Sequence, residues 1–139
     1  GVKHVSFAQF DPFEDIVQNR TDLVIAIHLL QHETLIRSMK FFKLVKENTV
    51  VHSVIYDNYP ESANRPISHQ NSAHDLVLLN TFTAPFLFGP ADYRYENGDE
   101  QPTKDRMEIV CVSAARIFEH KSTPTLTDLM DPALRETKA

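Results

Sequence analysis

The chain has 139 residues, one cysteine and a net charge of −5, from 14 Lys and Arg against 19 Asp and Glu. This length is enough for one domain with a hydrophobic core, and a single cysteine excludes a disulfide within the chain. The acidic balance and the lack of basic runs argue against a nucleic-acid partner, and no apolar run approaches the ~20 residues that cross a membrane.

We therefore predict a single domain over residues 1–139, in a cytoplasmic or other reducing compartment. Residues 1–10 are expected to form an N-terminal arm or strand, and residues 132–139 a frayed tail. Asp11 followed by Pro12 is typical of a helix start, because Asp caps a helix and Pro suits its first turn. A short helix is therefore predicted from Pro12 to Gln18.

The segment from Thr21 to Glu47 lies within the longest stretch without Pro or Gly, Phe13–Tyr59. Its second half has helical spacing, since Leu35, Met39, Phe42 and Val45 recur on one face. We predict one helix from Asp22 to Lys46. The alternative is a strand from Leu23 to Leu30 followed by a shorter helix, because the first half is apolar and rich in β-branched residues.

Three later segments have strand patterns. Residues Thr49–Tyr56 are rich in β-branched residues, and Ala73–Gly89 alternates apolar and polar side chains as a half-buried strand does. Residues Arg106–Glu119 are apolar on both parities, which predicts a central strand covered on both faces. In such a strand Cys111 is interpreted as a small buried residue and not as a nucleophile.

Two connections complete the predicted order. The polar residues 91–105 are interpreted as a hairpin loop if Tyr93 and Tyr95 start a strand. Near the C-terminus, Ser122 or Thr123 before Pro124 predicts the cap of a short helix. The apolar face of that helix is expected to contain Leu126, Leu129 and Met130.

The predicted fold class is α+β: one long helix packed on a small, mainly antiparallel sheet of three to four strands, with short helices at both termini. A sheet this small would leave one face bare. Pairing of such faces between subunits is a common solution, so we predict a homo-oligomer.

Histidines provide one candidate site. If the long stretch is one helix, His28 and His32 lie one turn apart, and such a pair can bind zinc or another divalent metal. The competing interpretation is that both rings pack in the core or at a subunit contact. His69, His74 and Asp75 lie together in a polar segment and are candidate metal ligands with that pair, with Asp75 or Glu33 as a base.

The chain has three glycines and lacks the glycine-rich phosphate loops and the Gly-x-Ser-x-Gly elbow that would indicate an enzyme class. Tyr59, Tyr93 and Tyr95 lie in or beside polar loops, where aromatic hydroxyls suit a recognition surface. The leading hypothesis is a non-enzymatic module without a cofactor that oligomerises and binds a protein partner through Pro- and Tyr-bearing loops. The alternative is a metal-dependent hydrolase or lyase, so whether the chain is an enzyme stays open.

Overall fold

The computed structural model describes residues 9, 11–13, 21–48, 50–64, 66–67, 76–96, 106–121 and 124–130. These residues form a four-stranded mixed sheet, a separate two-stranded sheet and one α-helix longer than a single turn. The molecule is therefore α+β, with one principal helix and a small sheet, as predicted. None of the helices in these ranges is long and apolar enough to cross a membrane.

The elements follow one another as β1 (Thr21–Ala26), α1 (Leu35–Glu47), β2 (Val51–Asn58), β3 (Pro66–Ile67), β4 (Leu76–Val77), β5 (Tyr93–Glu96) and β6 (Glu108–Ser113). Two 3-10 turns, Leu30–His32 and Ala114–Arg116, and one helical turn, Leu126–Leu129, complete the series. The main sheet has the strand order β1-β2-β6-β5. β1 is parallel to β2, whereas β6 is antiparallel to both of its neighbours.

The prediction of one helix from Asp22 to Lys46 is wrong in its first half, where the alternative of a strand and a shorter helix is correct. Residues Thr21–Ala26 form β1, and α1 begins only at Leu35. The β-branched residues of this run suit a strand, and pairing with β2 satisfies the backbone polar groups along one edge. Thr34 starts the helix, because its hydroxyl accepts a hydrogen bond from the Arg37 N–H at 3.3 Å.

The apolar face predicted for the helix is confirmed. Leu35, Met39, Phe42 and Val45 are all buried, with exposed fractions of 5% or less. Phe42 lies at the centre of an aromatic cluster, with its ring centroid 5.0 Å from that of Tyr56 and 4.9 Å from that of Phe88. The face of the sheet that packs here carries Val54, Val110 and Val112, all fully buried. One face of the sheet is thus a closed core.

The strand predicted over Ala73–Gly89 is wrong beyond Leu76–Val77. The chain that follows is irregular, has a cis peptide bond between Ala84 and Pro85, and inserts Phe86 and Phe88 into the core. Side-chain hydrogen bonds take the place of a ladder here: the Asn64 amide donates to the carbonyls of Asn80 and Ala84, both at 2.8 Å. The apolar alternation therefore reflects burial but not a strand.

β2 is confirmed, although it runs two residues further than the predicted Tyr56. β5 and β6 pair antiparallel, so the hairpin interpretation of Tyr93 and Tyr95 is also confirmed. β6 is shorter than the predicted Arg106–Glu119 and is fully buried on one parity only. The prediction that this strand is covered on both faces is therefore only partly correct, because its second face is half-buried.

The terminal elements are only partly described. Of the helix predicted over Pro12–Gln18, only Pro12 and Phe13 fall within the described residues, and they lie in a turn. The predicted N-terminal arm lies outside these residues apart from Gln9, and the tail at 132–139 lies outside them entirely. At the other end, Leu126–Leu129 form a single turn that exposes Leu126 and places Leu129 against the core.

Candidate functional site

The sheet has a second face that carries exposed apolar side chains. Strand register places Ile25, Ile55, Cys111 and Tyr93 in one row across all four strands. Directly paired residues point to the same side of a sheet, so this row is opposite the row of partly buried Val24 and fully buried Val54 and Val112. We call this second side the open face; its members are Leu23, Ile25, Ser53, Ile55, Asp57, Tyr93, Tyr95, Ile109, Cys111 and Ser113.

The open face is most accessible along its two outer strands. Ile25 on β1 is 63% exposed, and Tyr93 and Tyr95 on β5 are 77% and 67% exposed. Across the described ranges, seven large hydrophobic side chains are exposed. Four of them, Leu23, Ile25, Tyr93 and Tyr95, belong to this face, and a fifth, Ile27, directly follows β1. The other two are Leu126 and Met130, at the C-terminal turn. The exposed apolar surface is therefore concentrated on one side of the molecule.

A buried carboxylate lies at one end of the open face. Asp57 is 6% exposed, and its Oδ1 is buried without a hydrogen-bond partner. Its Oδ2 accepts a hydrogen bond from the His28 backbone N–H at 2.9 Å and lies 3.3 Å from the His28 ring Nδ1. Burial raises the pKa of the Asp57 carboxyl above its ordinary value, and the two His28 groups partly oppose that rise.

The backbone geometry of His28 brings it to Asp57. His28 follows the end of β1 with a φ of 57°, in the left-handed region that side chains other than glycine seldom adopt. This turn folds the residue back over the end of β2, where Asp57 lies. Because β1 and β2 are parallel, the pair lies at the carboxyl ends of both strands.

A polar network lies on the core side of the same sheet end, and the sequence patterns do not predict it. Glu108 is 2% exposed and accepts a hydrogen bond from the Asn58 amide at 2.7 Å. Arg94 approaches the same carboxylate at 3.4 Å and stacks over the Phe82 ring. The side-chain Oδ1 of Asn58 accepts a hydrogen bond from the Thr81 backbone N–H at 2.8 Å. The network ties the irregular segment to β2 and β6.

The predicted metal ligands are not brought onto one helix. His28 lies in the turn after β1, and His32 lies in the 3-10 turn with its ring nitrogen 3.4 Å from the Gln31 amide. His69, His74 and Asp75 lie outside the described residues. In the part of the chain that the structure does describe, no group of three His, Cys, Asp or Glu residues could hold a metal ion. The α-helix that would have placed His28 and His32 one turn apart is therefore absent.

The three tyrosines proposed for partner binding occupy two environments. Tyr93 and Tyr95 stand on the open face, in a strand and not in a loop. Tyr59 is buried, and its hydroxyl donates a hydrogen bond to the Gln31 side chain at 2.5 Å. Cys111 is half-buried near the middle of the open face, where burial chiefly, and then the Asp92 carboxylate, raises the pKa of its thiol.

No protein-family model, curated protein or solved structure matches this chain.

Proposed function

We propose that this chain is an assembly module that pairs with a second copy of itself through the open face. The observation that carries the proposal is the row Ile25–Ile55–Cys111–Tyr93, which crosses every strand of the sheet and has both of its ends exposed. Soluble monomers rarely expose an apolar patch of more than a few hundred Å². Pairing would remove this surface from water.

The charge of the open face favours a second copy over a charged partner. Of the ten residues that define the face, only Asp57 is an acidic or basic residue, and it is buried beneath His28. Two such faces can therefore oppose each other without bringing like charges together. Tyr93 and Tyr95 belong to the outer strand β5, where their hydroxyls can form hydrogen bonds at the polar rim of an interface.

The size of the face predicts a weak dimer. Four strands spaced about 4.8 Å apart and about six residues long at about 3.3 Å each give a flat area on the order of 400 Å². A stable interface buries about 800 Å² on each partner. The open face alone therefore corresponds to reversible self-association that depends on protein concentration.

Sedimentation velocity over a wide concentration range tests this proposal. The wild-type mass is expected to rise from one chain toward two chains as concentration increases. Ile25→Lys places a charge on an exposed edge position that a strand tolerates, so the fold should survive while dimerisation weakens by about tenfold or more, equivalent to ~1.4 kcal/mol. Leu126→Lys, at an exposed leucine far from the open face in sequence, is the matched control and should dimerise as the wild type does.

Two results would contradict the proposal. A wild-type protein that keeps the mass of one chain at the highest concentration has no self-association to explain. Equal weakening by Ile25→Lys and Leu126→Lys would show that association does not use the open face. Circular dichroism of both variants verifies that each retains the secondary structure of the wild type.

A further inference from the structure

The turn after β1 has two features that are costly for folding. His28 adopts a left-handed backbone conformation, which is unfavourable for a residue with a Cβ atom. It covers a buried carboxylate whose Oδ1 has no hydrogen-bond partner. The His28 side chain is 62% exposed, so burial of the imidazole does not offset this unfavourable free energy. Backbone strain and unsatisfied buried groups of this kind concentrate at functional sites.

We propose that His28 and Asp57 form an acid–base site at the carboxyl ends of β1 and β2, which transfers a proton during hydrolysis of a small neutral ester. In this site His28 is the catalytic residue and Asp57 is a positioning residue. The proposal goes beyond the assembly function and does not depend on it.

The geometry suits the two roles. The Asp57 Oδ2 lies 3.3 Å from the His28 Nδ1, which is within ion-pair distance of a protonated imidazole. When Nδ1 carries the proton beside this carboxylate, Nε2 is the unprotonated nitrogen of a side chain that is 62% exposed. A carboxylate that faces Nδ1 holds the ring in this tautomer and stabilises the imidazolium that forms when Nε2 takes a proton.

The proton transfer balances without a metal or redox partner. His28 Nε2 accepts a proton from water while the water oxygen bonds to the ester carbonyl carbon. The imidazolium then returns that proton to the alcohol oxygen as the carbon–oxygen bond breaks. The net change is ester plus water to carboxylic acid plus alcohol.

The surroundings indicate a neutral substrate with an apolar body. The residues on both sides of His28 in the chain are Ile27 and Leu29, and Ile27 is exposed. The Asp57 carboxylate accepts a hydrogen bond from the His28 backbone N–H and faces the ring Nδ1. An aliphatic acyl group could rest on this apolar surface, whereas an anionic substrate would meet the Asp57 charge.

Hydrolysis of p-nitrophenyl acetate by the purified chain is the test. The informative variant is His28→Asn, since asparagine enters the left-handed region more readily than most residues and so preserves the turn. The protein-dependent rate is expected to fall by about tenfold or more in this variant. His52→Gln and His120→Gln, at two other exposed histidines, are the matched controls and should keep the wild-type rate.

Asp57→Asn separates a positioning role from a structural one. It retains an oxygen for the His28 N–H but removes the carboxylate, so the rate is expected to fall while the circular dichroism spectrum stays that of the wild type. Nitrogen-15 spectra at alkaline pH should show the His28 proton on Nδ1 in the wild type and a loss of that preference in the variant. A His28→Asn rate equal to the wild type, or an unchanged tautomer and rate in Asp57→Asn, would overturn the proposal.

Discussion

At the residue scale, the buried carboxylate of Glu108 is the centre of a polar network. It is held by the Asn58 amide at 2.7 Å and approached by the Arg94 guanidinium at 3.4 Å. A buried charge is tolerated only where such partners replace water. Burial also raises the pKa of the neighbouring Tyr56 hydroxyl far above its ordinary value, so that residue stays neutral and shares a 2.5 Å hydrogen bond with Thr81.

Removal of Asn58 should therefore be costly. Asn58→Ala takes one hydrogen bond from the Glu108 carboxylate and one from the Thr81 N–H, both of which stay buried. The free energy of unfolding is expected to fall by about 3 kcal/mol, as measured by urea denaturation. Asn48→Ala at the C-cap of α1, where the residue is half-buried, should cost about 1 kcal/mol. Equal losses in both variants would mean that the Glu108 network contributes no special stability.

At the element scale, α1 combines a well-patterned apolar face with one unsatisfied group. Its N-cap, Thr34, and its buried row agree with each other and with the local sequence. Ser38, in contrast, is fully buried and its hydroxyl has no hydrogen-bond partner. A buried hydroxyl without a partner loses its hydrogen bonds to water and forms none within the protein, which destabilises the folded state.

We expect Ser38→Ala to stabilise the protein. The substitution removes the unpartnered hydroxyl and introduces a better helix former, so the free energy of unfolding should rise by about 1 kcal/mol. Thermal and urea denaturation measure the change. Thr34→Ala in the same helix should act in the opposite direction by about 1 kcal/mol, because it removes the N-cap. A loss of stability in Ser38→Ala would show that the hydroxyl has a partner in solution.

At the scale of the whole molecule, the sheet divides the chain into a closed side and an open side. Aromatic rings from α1, β2 and the irregular segment pack on the closed side, whereas Leu23, Ile25, Tyr93 and Tyr95 are exposed on the other. Cys111 lies near the middle of the row that crosses the open face. Its thiol can therefore report whether the open face is covered.

Alkylation of Cys111 should depend on both pH and protein concentration. The raised pKa leaves little thiolate at neutral pH, so iodoacetamide should react slowly there and progressively faster as pH rises. At fixed alkaline pH, the rate per chain should fall with increasing protein concentration if a second copy covers the face. Ile25→Lys should remove the concentration dependence and keep the pH dependence. If the alkylation rate of the wild type does not change with protein concentration, a second copy does not cover Cys111.

Local pattern was sufficient for the elements whose signal is long or repeated. The α1 row from Leu35 to Val45, the β-branched run of β2, and the hairpin that begins at Tyr93 and Tyr95 were all predicted from side-chain spacing and composition. The α+β class follows from them. The same spacing could not separate strand from helix at Leu23–Leu30, because a short run that is apolar except for His28 satisfies both periods.

Tertiary structure decided the rest, because the decisive partners are distant in the chain. Pairing with β2 made Thr21–Ala26 a strand, and the Asn64 amide fixed an irregular path for a segment whose alternation resembled a strand. His28 and Asp57 are 29 residues apart and meet only because β1 and β2 are parallel neighbours. Residue spacing along one chain records local geometry, whereas the candidate site and the open face depend on strand order, which only the packed sheet determines.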